Sequence, residues 1–311
     1  MREVISRELA KNWWLRCVAC SEASMTTQMR GLGLDEPAYE QAIHPFSGGF
    51  MHLGHACGLL TGAVLAAGFA ARSRFDDEGT RSGAALHAAI QLARAYPEVA
   101  GSADCRDITG VSLASLGGRL RYVQRGNSRL CGRLHLKWAP AAQRLIDTAL
   151  TEFGARGSAG PCANCAVRTM RGLESSTRIK QGDAVLLAGF AGGIGLLGNV
   201  CGALTAGVFA MSADEQLGRE QGNRDSRIRG SLEELAGASY RGAATRLRRG
   251  FVGQFGSELC VDIVGRRFQD AADHAAFIQQ GGCENVTNFV ADWMAGHQAG
   301  RRDARREPAH H

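Results

Sequence analysis

The chain repeats one stretch of its own sequence, and this repeat limits the fold more than any other feature. The segment FSGGFMHLGHACGLLTGAV begins at Phe46, and the segment FAGGIGLLGNVCGALTAGV begins at Phe190. The two align without a gap, which indicates an internal duplication. The matched pairs are Phe46 and Phe190, Gly48 and Gly192, Gly49 and Gly193, Gly54 and Gly198, Cys57 and Cys201, Gly58 and Gly202, and Thr61 and Thr205.

The cysteines outside this segment recur in the same order. Each copy has a Cys-x-x-Cys pair upstream, a Cys-x-Asp-Ile-x-Gly motif downstream and one last cysteine. With the central pair these account for all ten cysteines of the chain: Cys17, Cys20, Cys105 and Cys131 in the first copy, and Cys162, Cys165, Cys260 and Cys283 in the second. We therefore predict two cysteine-rich modules, residues 1–153 and 154–300, and a disordered basic tail, 301–311. The stretch 154–161 has the Gly, Ser and Pro content of a linker or helix break.

Composition favours helices in both modules. Aromatic residues make up 6% of the 311 residues and Pro occurs six times, whereas Gly occurs 41 times. This balance suits close-packed helices better than a β sandwich, and the length allows two cores. We predict a mostly α fold made of two similar helical-bundle modules. The duplication suggests a pseudo-two-fold axis between them, standing in for the homodimer that a single-module relative would form. A homodimer of the whole chain stays open.

Two apolar stretches, 46–71 and 184–211, are long enough to cross a membrane, and the second contains no charged residue. Both contain several glycines and a cysteine, which favours helices buried inside a bundle. The N-terminus lacks the apolar core and cleavage site of a secretory signal, so we expect a cytoplasmic protein without membrane contact. Cytoplasmic cysteines are rarely structural disulfides, which favours metal ligation or thiol chemistry.

Charge and motif content exclude several function classes. The net charge of +6 comes from scattered arginines that lack interleaved aromatic residues, so we expect no nucleic-acid partner. The Gly-Gly pairs lack the lysine of a phosphate loop, and no Ser/His/Asp order identifies a catalytic triad. The catalytic residues are therefore unknown, and no substrate is named.

The central cysteines have a position that suits ligation. The apolar run after Cys57-Gly58 has helical spacing, so Cys57 is predicted to open a helix, where the dipole would favour its thiolate. Glycines in front of it would allow close approach of the backbone to another helix or to a cofactor. The candidate cofactor-binding glycines are Gly48, Gly49, Gly54, Gly192, Gly193 and Gly198.

Two histidines, His52 and His55, precede Cys57 and could join a mixed His/Cys site or a ligand pocket. Their counterparts in the second copy are Leu196 and Asn199. A site shared by both modules therefore cannot depend on these histidines, and they are candidates for an asymmetric supporting role.

This order of cysteines, with Cys-Gly-x-x-x-Gly after a Gly-Gly entry, resembles the C-GCAxxG-C-C family of redox-active proteins in two tandem copies. The family includes a domain of split-Soret cytochromes, and the resemblance implies a helical fold that gathers the cysteines around an iron–sulfur cluster. Three departures limit it: neither Cys-x-x-Cys is followed by His, which argues against c-type haem; Cys17 and Cys162 are additional; and Ala206 replaces a glycine. The implied ligands are Cys20, Cys57, Cys105 and Cys131, and then Cys165, Cys201, Cys260 and Cys283.

The residues leave three chemistries open. Four thiolates per module suit an iron–sulfur cluster of unknown type or a tetrahedral zinc site. The Cys-x-x-Cys pairs also suit a metal-free thiol–disulfide switch, although neither lies in the βαβ context of a thioredoxin-like protein. Our first expectation is a redox or electron-transfer protein with one cluster per module and a redox partner protein of unknown identity. Cys17 and Cys162 are additional metal-ligand candidates.

Overall fold

The computed structural model describes residues 4–17, 19–155, 163–218 and 239–306, with side chains to residue 300. Throughout this part the elements are helical, apart from the isolated bridges of Ala56 with Asp104 and Val200 with Leu259. The first module contains α1 (Arg7–Arg16), α2 (Cys20–Gly31), α3 (Pro37–Ala42), a 3₁₀ turn (His44–Phe46), α4 (Gly58–Arg74), α5 (Glu78–Ala100), α6 (Cys105–Thr109), α7 (Leu116–Gln124) and α8 (Asn127–Ala155). The second contains α9 (Cys165–Glu174), a 3₁₀ helix (Asp183–Phe190), α10 (Gly202–Gly218), α11 (Ser239–Phe255), α12 (Cys260–Val264), α13 (Ala271–Gln279) and α14 (Glu284–Arg306).

Six helices of the first module have a counterpart in the second, whereas α1 and α3 have none among the described residues. Helices α2, α4, α5, α6, α7 and α8 match α9, α10, α11, α12, α13 and α14 in order. Even the helix ends agree, because α5 and α11 are both followed by a left-handed glycine, Gly101 and Gly256, four residues before the third cysteine. The prediction of a mostly α fold built from a duplicated helical module is confirmed.

The two modules share one core. Helix α4 buries every residue from Gly58 to Ala71, and α10 buries every residue from Gly202 to Asp214. At Gly68 the α4 backbone approaches Leu186 of the second module so closely that a Cβ would lie 2.3 Å from its carbonyl oxygen. The ring of Phe46 contacts that of Phe190 with centroids 5.5 Å apart. The absence of a side chain at Gly68 therefore allows the two modules to pack closely at this point.

A polar contact closes the same interface. The hydroxyl of buried Tyr39 donates to Asp183, 2.5 Å away, and Arg72 also pairs with Asp183. Burial and the neighbouring carboxylate raise the pKa of Tyr39 well above its usual value. Asp183 is buried, with 3% of its surface exposed, and these two partners compensate for the water that its carboxylate loses.

Two predictions on chain organisation concern segments that lie partly outside the described residues. The boundary at 153/154 lies within α8, and most of the proposed linker, 156–161, is outside the described residues. Backbone 301–306 of the predicted tail continues α14, whereas 307–311 lie outside. The division into domains stays a prediction. No helix in the described ranges combines the length and apolarity needed to traverse a bilayer.

Two candidate cysteine sites

Helix starts position the cysteines of the first module. Cys20 is the first residue of α2, Cys57 caps α4 and Cys105 is the first residue of α6, while Cys131 lies in the second turn of α8. We call these four residues the first site. The prediction that Cys57 opens a helix is confirmed.

A short antiparallel contact fixes two of these cysteines relative to each other. The backbone N–H of Cys57 donates to the carbonyl of Ala103, and that of Cys105 donates to the carbonyl of His55, both at 2.8 Å. Cys20 approaches from α2 because Gly58 has no side chain, since a Cβ there would lie 2.5 Å from the Cys20 Sγ. The glycine after the central cysteine thus makes room for a second cysteine.

The second module repeats this construction at what we call the second site, Cys165, Cys201, Cys260 and Cys283. The backbone N–H of Cys201 donates to the backbone carbonyl of Glu258, and that of Cys260 donates to the backbone carbonyl of Asn199, again at 2.8 Å. A Cβ on Gly202 would lie 3.2 Å from the Cys165 Sγ. The last cysteine differs, because Cys283 precedes α14 with a left-handed φ of 61°, whereas Cys131 lies inside its helix.

Within each site the thiols interact electrostatically. Burial is the main cause of the raised pKa of Cys105, and the other three thiols of the first site raise it further. The same holds for Cys260 and the other three thiols of the second site. The structure therefore brings together both sets of four cysteines that the sequence predicts. These eight cysteines all carry free thiols.

The predicted bias of the central cysteines toward the thiolate is wrong for the protein without a bound cation. Burial raises the pKa of Cys57 and of Cys201 to about 12. Cys57 is 5% exposed and Cys201 4% exposed, so the loss of water outweighs the helix dipole. A proton or a metal ion must therefore accompany these sulfurs at neutral pH.

The candidate glycines form a loop of left-handed backbone before each central cysteine. Residues 48–52 have φ angles of 65°, 75°, 56°, 55° and 66°, and residues 192–196 have 60°, 74°, 66°, 56° and 66°. Such a run costs about 1–2 kcal/mol for each residue that is not glycine. A Cβ on Gly49 would lie 2.3 Å from the carbonyl oxygen of His55, so the loop folds back onto the chain just before Cys57. In the second module the N–H of Gly192 hydrogen-bonds Cys165 and opposes the rise of its pKa.

The remaining candidate glycines, Gly54 and Gly198, let the same loops approach the helix that carries the third cysteine. A Cβ on Gly54 would lie 2.8 Å from the Cβ of Arg106, and one on Gly198 would lie 2.9 Å from the Cβ of Val261. These glycines therefore hold the central and third cysteines together, which the sequence did not show.

The two candidate histidines have different surroundings. His52 belongs to the left-handed loop and packs over Gly48, as Leu196 does over Gly192. His55 reaches into the second module, where its Nε2 lies 2.9 Å from Glu258 Oε1. The hydrogen bond from His55 and the guanidinium of Arg248 lower the pKa of Glu258 to about 2.

The counterpart of His55 makes the reciprocal contact. Asn199 accepts hydrogen bonds at its Oδ1 from the N–H groups of Ala56 and Val200, at 3.1 and 2.9 Å. Its amide donates to Asp104, 2.7 Å away. Ala56 and Val200 directly precede the two central cysteines, so one amide oxygen joins the two sites.

The additional cysteines lie at the edge of the first site or outside the described residues. Cys17 is half-buried at the end of α1, three residues before Cys20. Cys162 lies outside the described residues.

Sequence reasoning missed two tyrosines of the first site. The hydroxyl of Tyr122 donates to the Cys131 Sγ at 3.3 Å. The hydroxyl of Tyr96 lies beside Cys57 and perturbs its pKa, yet has no partner of good hydrogen-bond geometry among the described residues. A comparison of the two copies could have found them, because the second copy has Phe251 and Phe277 at these positions.

In the described part of the chain, no group of three or more His, Cys, Asp or Glu side chains is placed so that it could hold a metal ion.

Fold and sites together define a duplicated, cysteine-rich, all-α protein with two groups of four largely buried thiols. A family model described as "Putative redox-active protein (C_GCAxxG_C_C)" matches residues 18–145 and again residues 162–296. The chain belongs to this family, as two tandem copies, and the resemblance seen in its sequence is confirmed. Neither a comparison with curated proteins nor one with solved structures returned a match.

Proposed function

We propose that the protein is an electron-transfer protein that holds one iron–sulfur cluster at each site. Cys20, Cys57, Cys105 and Cys131 would hold the first cluster, and Cys165, Cys201, Cys260 and Cys283 the second. Each cluster would accept and release one electron in exchange with a redox partner protein.

The grouping of four thiols, of which three are buried and one is half-buried, occurs twice and carries this proposal. Four thiolates are the full ligand set of a [2Fe–2S] or [4Fe–4S] cluster. Because burial raises the thiol pKa at both sites, these sulfurs are stable as thiolates only when cations replace their protons. Iron ions would supply that charge, and the surrounding helices would exclude water.

One further feature of the first site fits a cluster. The buried Tyr96 hydroxyl beside Cys57 lacks a well-aligned acceptor, and a thiolate or a cluster sulfide would provide one.

The alternatives make different demands. A zinc site would need each set of thiols to close to about 3.8 Å. A thiol–disulfide switch would need an accessible, acidic thiol, whereas burial raises the pKa of Cys57 and Cys201. Covalent haem lacks the histidine of its attachment motif.

The test is metal and sulfide analysis with a visible spectrum on full-length protein purified without oxygen. The matched variants Cys57→Ser and Cys201→Ser should each keep about half of the iron and sulfide, because each removes a ligand of one site only. The double variant should be colourless. Zinc in place of iron, or metal-free protein with titratable thiols, would refute the proposal.

A further inference from the structure

The two sites differ in the side chains that face their sulfurs. Two tyrosines of the first module lie nine positions before and seventeen positions after its third cysteine. At the same spacing from Cys260 the second module has phenylalanines. The helices agree, since Tyr96 and Phe251 lie in α5 and α11, and Tyr122 and Phe277 in α7 and α13. At these two positions the modules therefore share the rings and differ in the hydroxyl groups. Elsewhere Arg168 acts electrostatically on Cys165 and Cys283 of the second site, where the first module has Ala23.

One hydroxyl of the first module donates to a ligand sulfur, and the other lies beside a ligand sulfur without a well-aligned acceptor. Tyr122 donates to the Cys131 Sγ at 3.3 Å. Tyr96 is 0% exposed, and its ring packs edge-on against Trp138 with centroids 4.8 Å apart. This packing holds the hydroxyl beside Cys57, the thiol with which it interacts.

The second site has apolar rings in the same places. Phe251 is 0% exposed and packs against Phe255, with centroids 4.8 Å apart. Phe277 packs against Phe268 in the cluster of apolar side chains that includes Cys283. Neither ring can donate a hydrogen bond to a sulfur.

We propose that Tyr96 and Tyr122 make the first site the stronger electron acceptor of the two, so that electrons entering the protein collect there. This inference rests on the proposed function. A hydrogen bond to a ligand sulfur stabilises the state with the greater negative charge, which is the reduced one, and raises the reduction potential. One electron passes from the reduced second site to the oxidised first site, and no proton or ligand is exchanged.

The link between the sites suits such a transfer. The Asn199 Oδ1 accepts from the N–H groups of Ala56 and Val200, the residues before Cys57 and Cys201. Two hydrogen bonds to the Asn199 Oδ1 thus join the residue before Cys57 to the residue before Cys201. Adjacent sites could exchange an electron. The difference in reduction potential that the two hydroxyls cause would then decide which site holds it.

The test is a redox titration of anaerobically purified full-length protein, followed by visible and electron paramagnetic resonance spectra. We expect two resolved steps, with the first site favoured at least tenfold, which corresponds to about 59 mV for one electron. The Cys201→Ser and Cys57→Ser variants, each with one site intact, assign the steps. The Tyr96→Phe/Tyr122→Phe double variant should lower the potential of the first site and bring the two steps together.

A matched control separates this effect from loss of a buried hydroxyl elsewhere. Tyr39→Phe removes a buried hydroxyl that donates to Asp183 and should leave both potentials unchanged. Phe277→Tyr adds a hydroxyl to the second site and should raise its potential.

The outcomes distinguish the two proposals. Iron and sulfide at both sites with coincident steps, or steps that the tyrosine variants do not move, would overturn this inference alone. Protein without iron and sulfide at either site would overturn the proposed function and this inference with it.

Discussion

A methyl group added at Gly62 tests how closely the first site is packed. Helix α4 crosses α2 at this residue, and a Cβ there would lie 2.4 Å from the Ser21 carbonyl oxygen and 2.8 Å from the Met25 nitrogen. Both are backbone atoms that cannot rotate away. Ordinary contact between such atoms requires roughly 3.5 Å, so Gly62→Ala must push α2 away by roughly 1 Å.

The net effect on stability follows from two opposing contributions. Overpacking costs about 1–3 kcal/mol, and alanine favours a helix over glycine by about 0.5–1 kcal/mol. The free energy of unfolding should therefore fall by about 1–2 kcal/mol. The second module offers the control, because Ala206 occupies the equivalent place in α10 and is fully buried. Ala206→Gly loses helix propensity and one buried methyl, about 1.5 kcal/mol in total, without displacing a helix.

The two variants should differ in metal content although they lose similar stability. Helix α2 begins at Cys20, so its displacement moves one thiol of the first site away from the others. Denaturant unfolding gives the stability, and iron per chain gives the occupancy. We expect Gly62→Ala to keep about half of the iron and Ala206→Gly to keep all of it. A Gly62→Ala protein with parental stability and full iron would refute the packing argument.

Three other predictions concern buried polar groups. Burial lowers the pKa of His135 to about 4, so the unfolded chain binds its proton first. Stability should therefore fall as the pH drops from about 6.5 to 4, by up to about 3 kcal/mol. Because burial also lowers the pKa of His274 to about 4, the dependence of the free energy of unfolding on pH across that window should fall to about half in His135→Leu, and an unchanged dependence would contradict this. Tyr39→Phe removes one of the two donors of the buried Asp183 and leaves Arg72, and it should lower the free energy of unfolding by about 1.5–3 kcal/mol, whereas an unchanged unfolding midpoint would exclude this contribution. Asn199→Ala removes the hydrogen bonds to Ala56 and Asp104, so the free energy of unfolding measured by calorimetry should fall by about 1–2 kcal/mol. An unchanged melting temperature would contradict this.

Periodicity and duplication predicted much of this fold because both are local or linear properties of a chain. The apolar run after Cys57 has the spacing of a helix, and α4 begins at the next residue. The ungapped repeat predicted the same helix at Gly202, where α10 begins. The repeat paired all ten cysteines, and the resemblance to the family implied which eight of them form the two sites.

The properties of the sites depend on atoms far apart in the sequence. The helix position of Cys57 predicted a lowered pKa, but burial by both modules raises it, and no local pattern reports that burial. The single core depends on Gly68 meeting Leu186. Likewise, the partner of His55 is Glu258, 203 residues away.

The sequence by itself therefore determined the family, the helices and which cysteines belong together. Only the tertiary structure decided that six of the eight thiols are buried, that the two sites are joined through Asn199, and that Tyr96 and Tyr122 lie beside one of them. The physical reason is that helix formation depends on neighbours within a few residues, whereas desolvation and hydrogen bonding to a sulfur depend on every element that packs around it.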